Sequence, residues 1–132
     1  MSGSETTILI ADDEPIVLNL AATALESAGY RVLKARNGRE ALEACQRHQG
    51  RIDLGLLDYF MPKMTGDELC HRLMELYSNI RIALMTGYVD GVVQAFGTTP
   101  GPRYPVVVLR KPFVPGQLIS FVREHLQGTN ER

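Results

Sequence analysis

Carboxylates follow two apolar segments of this sequence at the points where those segments end. Asp12 and Asp13 come directly after the run 7–11, and Asp58 ends the run 52–58. Like charges brought together repel unless a cation lies between them. Mg²⁺ takes oxygen ligands from one or two carboxylates and keeps several waters. The pattern therefore predicts a site for Mg²⁺ (or Mn²⁺) where these segments end.

Two other segment ends supply a hydroxyl and a cation. Thr86 ends the run 81–86, and Lys111 follows the run 106–110. A lysine ammonium is a compact point charge suited to a phosphoryl oxygen, and a threonine hydroxyl is a hydrogen-bond donor. Together with a carboxylate nucleophile and a metal, these groups are the components of phosphoryl transfer to an aspartate. Asp58, Thr86 and Lys111 are therefore the candidate catalytic residues.

The apolar segments that carry these residues alternate with amphipathic ones. Strands are predicted at 7–11, 30–35, 52–58, 81–86 and 106–110. Helices are predicted to start at Pro15, after Asn37, after Thr65 and at Pro115. This alternation is typical of a doubly wound α/β fold with a five-stranded parallel sheet, in which functional groups gather at the carboxyl ends of the strands. The second strand ends in no comparable group, which predicts that it lies at the sheet edge.

The helices carry more detailed expectations. Asn37 with Glu40, and Thr65 with Glu68, have the spacing of capping boxes, and Gly29 suits a left-handed helix end. The predicted inward-facing residues are Val17, Leu20, Ala21, Ala24 and Ala28, then Leu69, Leu73 and Leu76, then Leu118, Phe121 and Val122. Between the last two strands, 89–96 could form one short helix, and the Gly/Pro-rich stretch 97–105 is predicted to be a loop.

Overall composition indicates an ordinary globular domain. The chain has 132 residues, 45% of them hydrophobic, and a net charge of −1. We expect one domain at 7–127 between loose ends at 1–6 and 128–132. The charge gives no general attraction to nucleic acid or acidic membranes, and no run approaches the roughly 20 apolar residues of a membrane span. The start of the sequence has no signal-peptide pattern, so a cytoplasmic location is expected. Cys45 and Cys70 are then expected to be reduced, half-buried thiols.

Four motifs in order resemble one family. They are "ADDEP", "LLDYFMPKMTG", "LMTGY" and "LRKPF", each at a strand end, within a match that covers about 7–126. The chain resembles the receiver domain of two-component response regulators. Its motifs are most similar to those of receivers attached to hybrid sensor histidine kinases. The resemblance implies a flavodoxin-like strand order 2-1-3-4-5 with a short or irregular fourth helix.

The resemblance also implies roles for individual residues. Asp58 would be the phosphoacceptor, with Thr86 and Lys111 holding the phosphoryl group. Asp13 would bind Mg²⁺ directly and Asp12 largely through water, while the Phe60 backbone carbonyl and Asp58 complete the protein ligands. Pro62 and Gly66 would shape the loop after Asp58, and the Lys111–Pro112 bond would be cis.

The implied function is that of a phosphorylation switch. The domain would take a phosphoryl group from phosphohistidine on a sensor histidine kinase or a histidine phosphotransfer domain, and would change conformation to control a partner. Homodimers are possible, whereas direct contact with nucleic acid or a membrane is not expected. Apart from accepting the phosphoryl group and losing it slowly by hydrolysis, the domain would not be an enzyme.

Two features depart from the family pattern. The family usually has Phe or Tyr three residues before the lysine, where this chain has Val108, and an aliphatic side chain cannot make the inward swing of an aromatic ring. The Gly/Pro-rich segment stands where a regular helix is usual. A degenerate receiver that acts as a phosphorylation-independent protein-binding module is therefore an alternative.

Simpler interpretations compete with these roles. Asp12 and Asp13 could cap a helix and complement its dipole without a metal, Thr86 and Lys111 could be ordinary strand-end residues, and Glu14 is predicted to be a solvated acid beside the site. A Mg²⁺-dependent aspartyl phosphatase would need a second aspartate at the position of Phe60. A flavodoxin-like cofactor binder is disfavoured because carboxylates at the end of strand one would repel a phosphate.

Overall fold

The computed structural model describes residues 6–87 and 107–130. The predicted short helix at 89–96, the loop at 97–105 and the outermost residues of both ends lie outside this part of the chain. The described elements are β1 Thr7–Ala11, α1 Pro15–Ser27, β2 Arg31–Ala35, α2 Gly38–Arg47, β3 Leu54–Asp58, α3 Gly66–Leu76, β4 Arg81–Thr86, β5 Val107–Arg110 and α4 Pro115–Asn130.

The five strands form one parallel sheet in the order β2-β1-β3-β4-β5. This confirms the predicted fold class, the strand order and the edge position of β2. Because all strands run the same way, their carboxyl ends meet at one edge of the sheet. That edge receives the residues that follow β1, β3, β4 and β5.

Helices cover both faces of the sheet and create two hydrophobic clusters. Leu9 and Leu57 pack with residues of α2 and α3 on one face, and Ile8, Ile10 and Leu56 pack with residues of α1 and α4 on the other. Alternate strand residues point to opposite faces. Strands β1 and β3 are therefore buried along their whole length, which fixes the positions of the residues at their ends.

The inward face of α1 differs from the prediction. Leu18 and Leu25 are buried together with Ala21, Ala22 and Ala24, whereas Leu20 is 44% exposed. Successive helical residues are about 100° apart, so Leu20 lies on nearly the opposite side from Leu18. The helix turns Leu18 and Leu25 inward because these two side chains together bury more apolar area than Leu20 and Val17 of the predicted stripe would.

Two other helices follow their predictions in part. In α3, Leu69 and Leu73 are fully buried, but Leu76 in the last turn is exposed. In α4, Leu118 and Val122 are buried and Phe121 is half-buried against the same cluster.

The two predicted capping boxes differ in the structure. The Asn37 side chain accepts a 2.9 Å hydrogen bond from the Glu40 backbone N–H, as predicted. The Glu40 carboxylate accepts from the Arg36 backbone N–H rather than from that of Asn37. At α3 the prediction is wrong, because Thr65 makes no side-chain capping bond and its hydroxyl instead donates to the Asp67 carboxylate.

Helix ends are defined by backbone geometry. Gly29 follows α1 with a φ of +99°, which confirms the predicted left-handed end. Helix α4 continues to Asn130 and so extends into the segment predicted to be a loose end. Among the described residues, no helix combines the length and apolar character needed to cross a bilayer. Cys45 and Cys70 are reduced thiols that are fully buried, not half-buried as predicted.

Candidate functional site

The sheet edge brings four predicted site residues together. Asp12 follows β1, Asp58 ends β3, Thr86 ends β4 and Lys111 follows β5. Asp12, Asp58 and Thr86 are all buried. Beside them lies an open cleft of about 380 Å³. It is lined by Asp13, Glu14, Asp58, Phe60, Thr86, Gly87 and Lys111.

Lys111 is the cation that lies among the carboxylates. Its ammonium nitrogen Nζ is 2.8 Å from Asp12 Oδ2, 3.1 Å from Glu14 Oε1 and 3.3 Å from Asp58 Oδ1. Its backbone N–H donates to the Thr86 carbonyl, which fixes the lysine beside the end of β4. The repulsion expected among the carboxylates is therefore offset by a side chain of the protein itself.

The two oxygens of Asp12 have different surroundings. Oδ1 accepts a 2.9 Å hydrogen bond from the Glu14 backbone N–H at the start of α1. This is a local turn contact of the kind expected for an aspartate before a helix. Oδ2 is buried and, apart from its close approach to the lysine, makes no hydrogen bond of regular geometry. Oδ1 thus orders the turn before α1, although Asp12 does not cap the helix because the N-cap residue is Glu14, and Oδ2 lies beside Lys111.

Burial changes the charge state of the phosphoacceptor candidate. Desolvation, followed by the negative charge of Asp12, raises the pKa of Asp58 to about 7, although Lys111 acts in the opposite direction. Burial tends to lower the pKa of Lys111, but hydrogen bonding and charge from Asp12 and Asp58 outweigh it, so the lysine pKa is raised. The lysine is therefore charged near neutral pH, whereas Asp58, with a pKa of about 7, is only partly ionised at pH 7.

The loop after Asp58 is shaped by a close approach at Gly66. A Cβ atom at this position would lie 2.6 Å from the Asp58 carbonyl oxygen and 2.8 Å from Tyr59 Cα. The Gly66 N–H donates to the Tyr59 carbonyl at 2.8 Å. Only glycine allows this contact, which holds the phosphoacceptor candidate against the first turn of α3. Across the cleft, the Lys111–Pro112 bond is cis, as predicted.

The carboxylates fit a hard divalent cation. Asp12, Glu14 and Asp58 each offer an oxygen, and the three oxygens lie within 4.8 Å of one another. Asp12 Oδ2 is a buried acceptor that lacks a hydrogen bond, and carboxylate oxygens are the ligands that Mg²⁺ prefers. The donor set is therefore compatible with the predicted metal.

Asp13 and Glu14 differ from the prediction in how each lies relative to the other carboxylates of the site. Asp13 is exposed and lines the cleft, but it is not in the group of three. Glu14, predicted to be a solvated bystander, is in that group and pairs with Lys111. One signal in the sequence could have indicated that Glu14 lies at the site. Glu14 stands immediately before Pro15, as the N-cap residue of α1, and therefore lies close to the strand ends where the other site residues meet.

Phe60 and Val108 occupy the borders of the site. Phe60 is 57% exposed, lines the cleft and packs edge-on against Tyr59 with ring centroids 4.7 Å apart; the metal-binding role of its carbonyl stays a prediction. Val108 is half-buried against the cluster beneath α2 and α3 and pairs with Leu84 of β4.

Comparison with known proteins identifies the family. Residues 8–123 match the family described as "Response regulator receiver domain". The chain belongs to this family. The receiver domain is 32% identical over 127 residues to the sensor kinase CckA of Brucella abortus, covering 96% of this chain and 13% of that protein. It is 35% identical to the phosphate regulon transcriptional regulatory protein PhoB of Pseudomonas aeruginosa, covering 93% of this chain and 52% of that one.

Solved structures agree with this identification. A receiver domain from the hybrid histidine kinase CckA superposes with a TM-score of 0.75 at 30% identity, covering 92% of this receiver domain and 99% of the other chain. A CheY-like response regulator receiver domain from Methanospirillum hungatei gives a TM-score of 0.80 at 26% identity, covering 96% and 97%. The curated relatives named above are longer, since this chain spans only 13% and 52% of them.

Proposed function

We propose that this receiver domain accepts a phosphoryl group on Asp58 and switches a partner by the resulting conformational change. The observation that carries the proposal is the position of Lys111 Nζ, 3.3 Å from Asp58 Oδ1 at the rim of an open cleft. A nucleophilic carboxylate, a lysine that remains protonated and a threonine at the next strand end have the placement that phosphoryl transfer requires.

The proposed donor is a phosphohistidine on a sensor histidine kinase or a histidine phosphotransfer domain. An Asp58 carboxylate oxygen forms a bond to phosphorus while the bond from phosphorus to the imidazole nitrogen breaks, and the leaving imidazole takes up a proton. Lys111 then pairs with one phosphoryl oxygen, and the Thr86 hydroxyl donates to another. Attack by water on phosphorus later releases inorganic phosphate and restores the carboxylate, so the domain does not turn over a substrate as a conventional enzyme does.

Asp12 and Asp58, together with Asp13 and the Phe60 carbonyl as predicted, would hold Mg²⁺. When bound, the ion supplies positive charge that favours the ionised form of Asp58 and neutralises the phosphoryl oxygens. Asp13 would bind the ion directly and Asp12 largely through water, and the Asp12 Oδ2 atom is a buried acceptor at this site. Mn²⁺ offers a similar preference for oxygen ligands.

Phosphorylation would replace a carboxyl group that carries at most one negative charge by an acyl phosphate that carries about two, and so would shift a conformational equilibrium. We propose that a cytoplasmic protein partner binds the phosphorylated conformation, and that this partner can be a second copy of the chain. Neither nucleic acid nor a membrane is a proposed direct partner, because the net charge of −1 offers no attraction to either.

The test is intact mass measurement after incubation with acetyl phosphate. The wild-type protein with Mg²⁺ should gain the mass of one phosphoryl group, and treatment with hydroxylamine should remove it, as expected for an acyl phosphate. Asp58→Asn and a sample without divalent metal should gain nothing. If the wild-type protein gains no mass and also binds no beryllofluoride, the proposal is wrong and the domain acts as a phosphorylation-independent binding module.

A further inference from the structure

We infer that Glu14 is a positioning residue that competes with the incoming phosphoryl group for the Lys111 ammonium and so slows phosphorylation of Asp58. The inference rests on the proposed function. It assigns to Glu14 a role opposite to that of a catalytic group, because the carboxylate competes with the phosphoryl oxygens for the same ammonium.

The geometry of the three ion pairs distinguishes Glu14 from the other two acids. Lys111 Nζ lies 3.1 Å from Glu14 Oε1 and contacts Asp12 and Asp58 at the same time. The side chain of Glu14 is 62% exposed, whereas those of Asp12 and Asp58 are 0% and 7% exposed. Only Glu14 can rotate into water without leaving a buried charge behind. Its contact with the lysine is therefore the one that can open and close.

In the part of the chain that the structure describes, the Glu14 carboxylate pairs with Lys111 and makes no hydrogen bond that would hold the start of α1. Glu14 is the N-cap residue of α1, but its side chain makes no capping hydrogen bond. Its backbone N–H is satisfied by Asp12 Oδ1, and Pro15 supplies the helix start. Replacing the carboxylate by an amide should therefore leave α1 intact, so that a change in rate reports on the site.

Competition for the lysine predicts the direction of the effect. When Asp12 and Asp58 are neutralised by a divalent cation, the competitor for the ammonium that remains among the described residues is Glu14 at the rim of the cleft. An anionic phosphodonor must displace that carboxylate and also approaches its negative charge. The contact is partly solvated, so releasing it should speed phosphorylation by about two- to fivefold. Screening by salt should reduce the difference.

A second possibility is that Glu14 serves mainly as a metal ligand, since its oxygen lies in the same group as those of Asp12 and Asp58. Loss of the carboxylate would then weaken Mg²⁺ binding and slow phosphorylation. Measuring the rate at saturating Mg²⁺, and separately as a function of Mg²⁺ concentration, distinguishes the two roles because they predict opposite signs.

The experiment compares wild-type protein, Glu14→Gln and Glu26→Gln. Glu26 is exposed on the same helix, near its other end, and its replacement changes the net charge equally. Phosphorylation by acetyl phosphate is followed by quenched-flow intact mass measurement at low and high salt. We expect Glu14→Gln to react two- to fivefold faster than the wild-type protein at low salt, with a smaller difference at high salt, and Glu26→Gln to match the wild type.

The contact is also tested without phosphorylation. In the metal-free protein, the ¹³Cε NMR signal of Lys111 should shift in Glu14→Gln and not in Glu26→Gln. An unshifted signal, or a Glu14→Gln rate equal to or below that of the wild type at saturating Mg²⁺, overturns the inference alone. If the wild-type protein accepts no phosphoryl group, the proposed function fails and the inference fails with it.

Discussion

The ammonium of Lys111 lies 2.8 Å from Asp12 Oδ2, a carboxylate oxygen that solvent does not reach. The two residues follow β5 and β1, which are separated in the sheet by β3 and β4. Their ion pair therefore spans the carboxyl edge of the sheet above Asp58. It places a positive charge among the carboxylates of Asp12, Glu14 and Asp58, and it holds the lysine beside the candidate phosphoacceptor.

Replacing Lys111 by methionine should destabilise the metal-free protein. The change retains an unbranched side chain but leaves the fully buried Asp12 carboxylate without a cation. Removal of one partner of a buried ion pair leaves an uncompensated charge, so we expect the free energy of unfolding at pH 7.5 to fall by about 3 kcal/mol. Urea denaturation measures the loss, and Mg²⁺ should restore part of it.

The control for this variant is Lys34→Met. Among the described residues, the Lys34 ammonium is hydrogen-bonded to the Asn19 side chain at an exposed position, so its loss should change the free energy of unfolding by less than about 0.5 kcal/mol. Equal losses in the two variants would show that the charge cluster does not depend on Lys111.

Replacing Asp58 by asparagine should stabilise the metal-free protein at alkaline pH. The pKa of Asp58 is raised to about 7 in the fold from a usual value of 3.8. The folded state thus binds more protons than the unfolded state between these values, and stability is lost as pH rises through 7. Because the amide that replaces the carboxylate does not ionise, the variant should be more stable than the wild type at pH 8 by up to about 4 kcal/mol, with little dependence on pH at this site.

Denaturation curves at several pH values with EDTA measure this difference, and Mg²⁺ should reduce it by stabilising the ionised wild-type carboxylate. Glu75→Gln, at an exposed position of α3, is the charge-matched control and should show no such pH dependence. A wild-type protein that gains stability between pH 5 and pH 8 relative to Asp58→Asn would contradict the raised pKa.

The two cysteines should be unreactive in the folded protein. Cys45 and Cys70 are both 0% exposed, and burial raises the pKa of the Cys45 thiol to about 11. Since the thiolate is the reactive form, we expect a chromogenic disulfide reagent at pH 8 to label both thiols in urea and almost none in buffer. Rapid labelling in buffer would contradict this expectation and show that the fold opens locally around a cysteine. The variants Cys45→Ala and Cys70→Ala would identify which thiol reacts.

The sequence is most informative where strands end. The alternation of apolar runs and helices predicts the sheet, and the carboxylates after 7–11 and within 52–58 predict the edge at which Asp12 and Asp58 meet. These inferences succeed because a strand buried on both faces reads as a continuous apolar run. Its polar end residue then has one accessible direction, which is toward the carboxyl edge.

The sequence is less informative about which of two nearby residues of similar type lies at the site or in the core. Asp13 and Glu14 are adjacent acids, and only the turn made by Asp12 decides which of them lies beside Lys111. On α1, Leu18 and Leu20 are equally apolar, and packing against the sheet decides which is buried. Such outcomes depend on the direction from which a helix leaves the loop, which local residue types do not specify.

Replacing Gly66 by alanine should both destabilise the fold and impair the site. The added Cβ would lie 2.6 Å from the Asp58 carbonyl oxygen, so the backbone that carries the phosphoacceptor has to move. Overpacking of this kind costs about 1–3 kcal/mol, and a displaced Asp58 should accept a phosphoryl group from acetyl phosphate at least several-fold more slowly.

Gly116→Ala is the matched control, because a Cβ there meets nothing within 4 Å. Since alanine favours the helix, this control should gain about 0.5 kcal/mol and keep the wild-type rate. Equal behaviour of the two variants in urea denaturation and mass measurements would show that the close approach at Gly66 does not position Asp58.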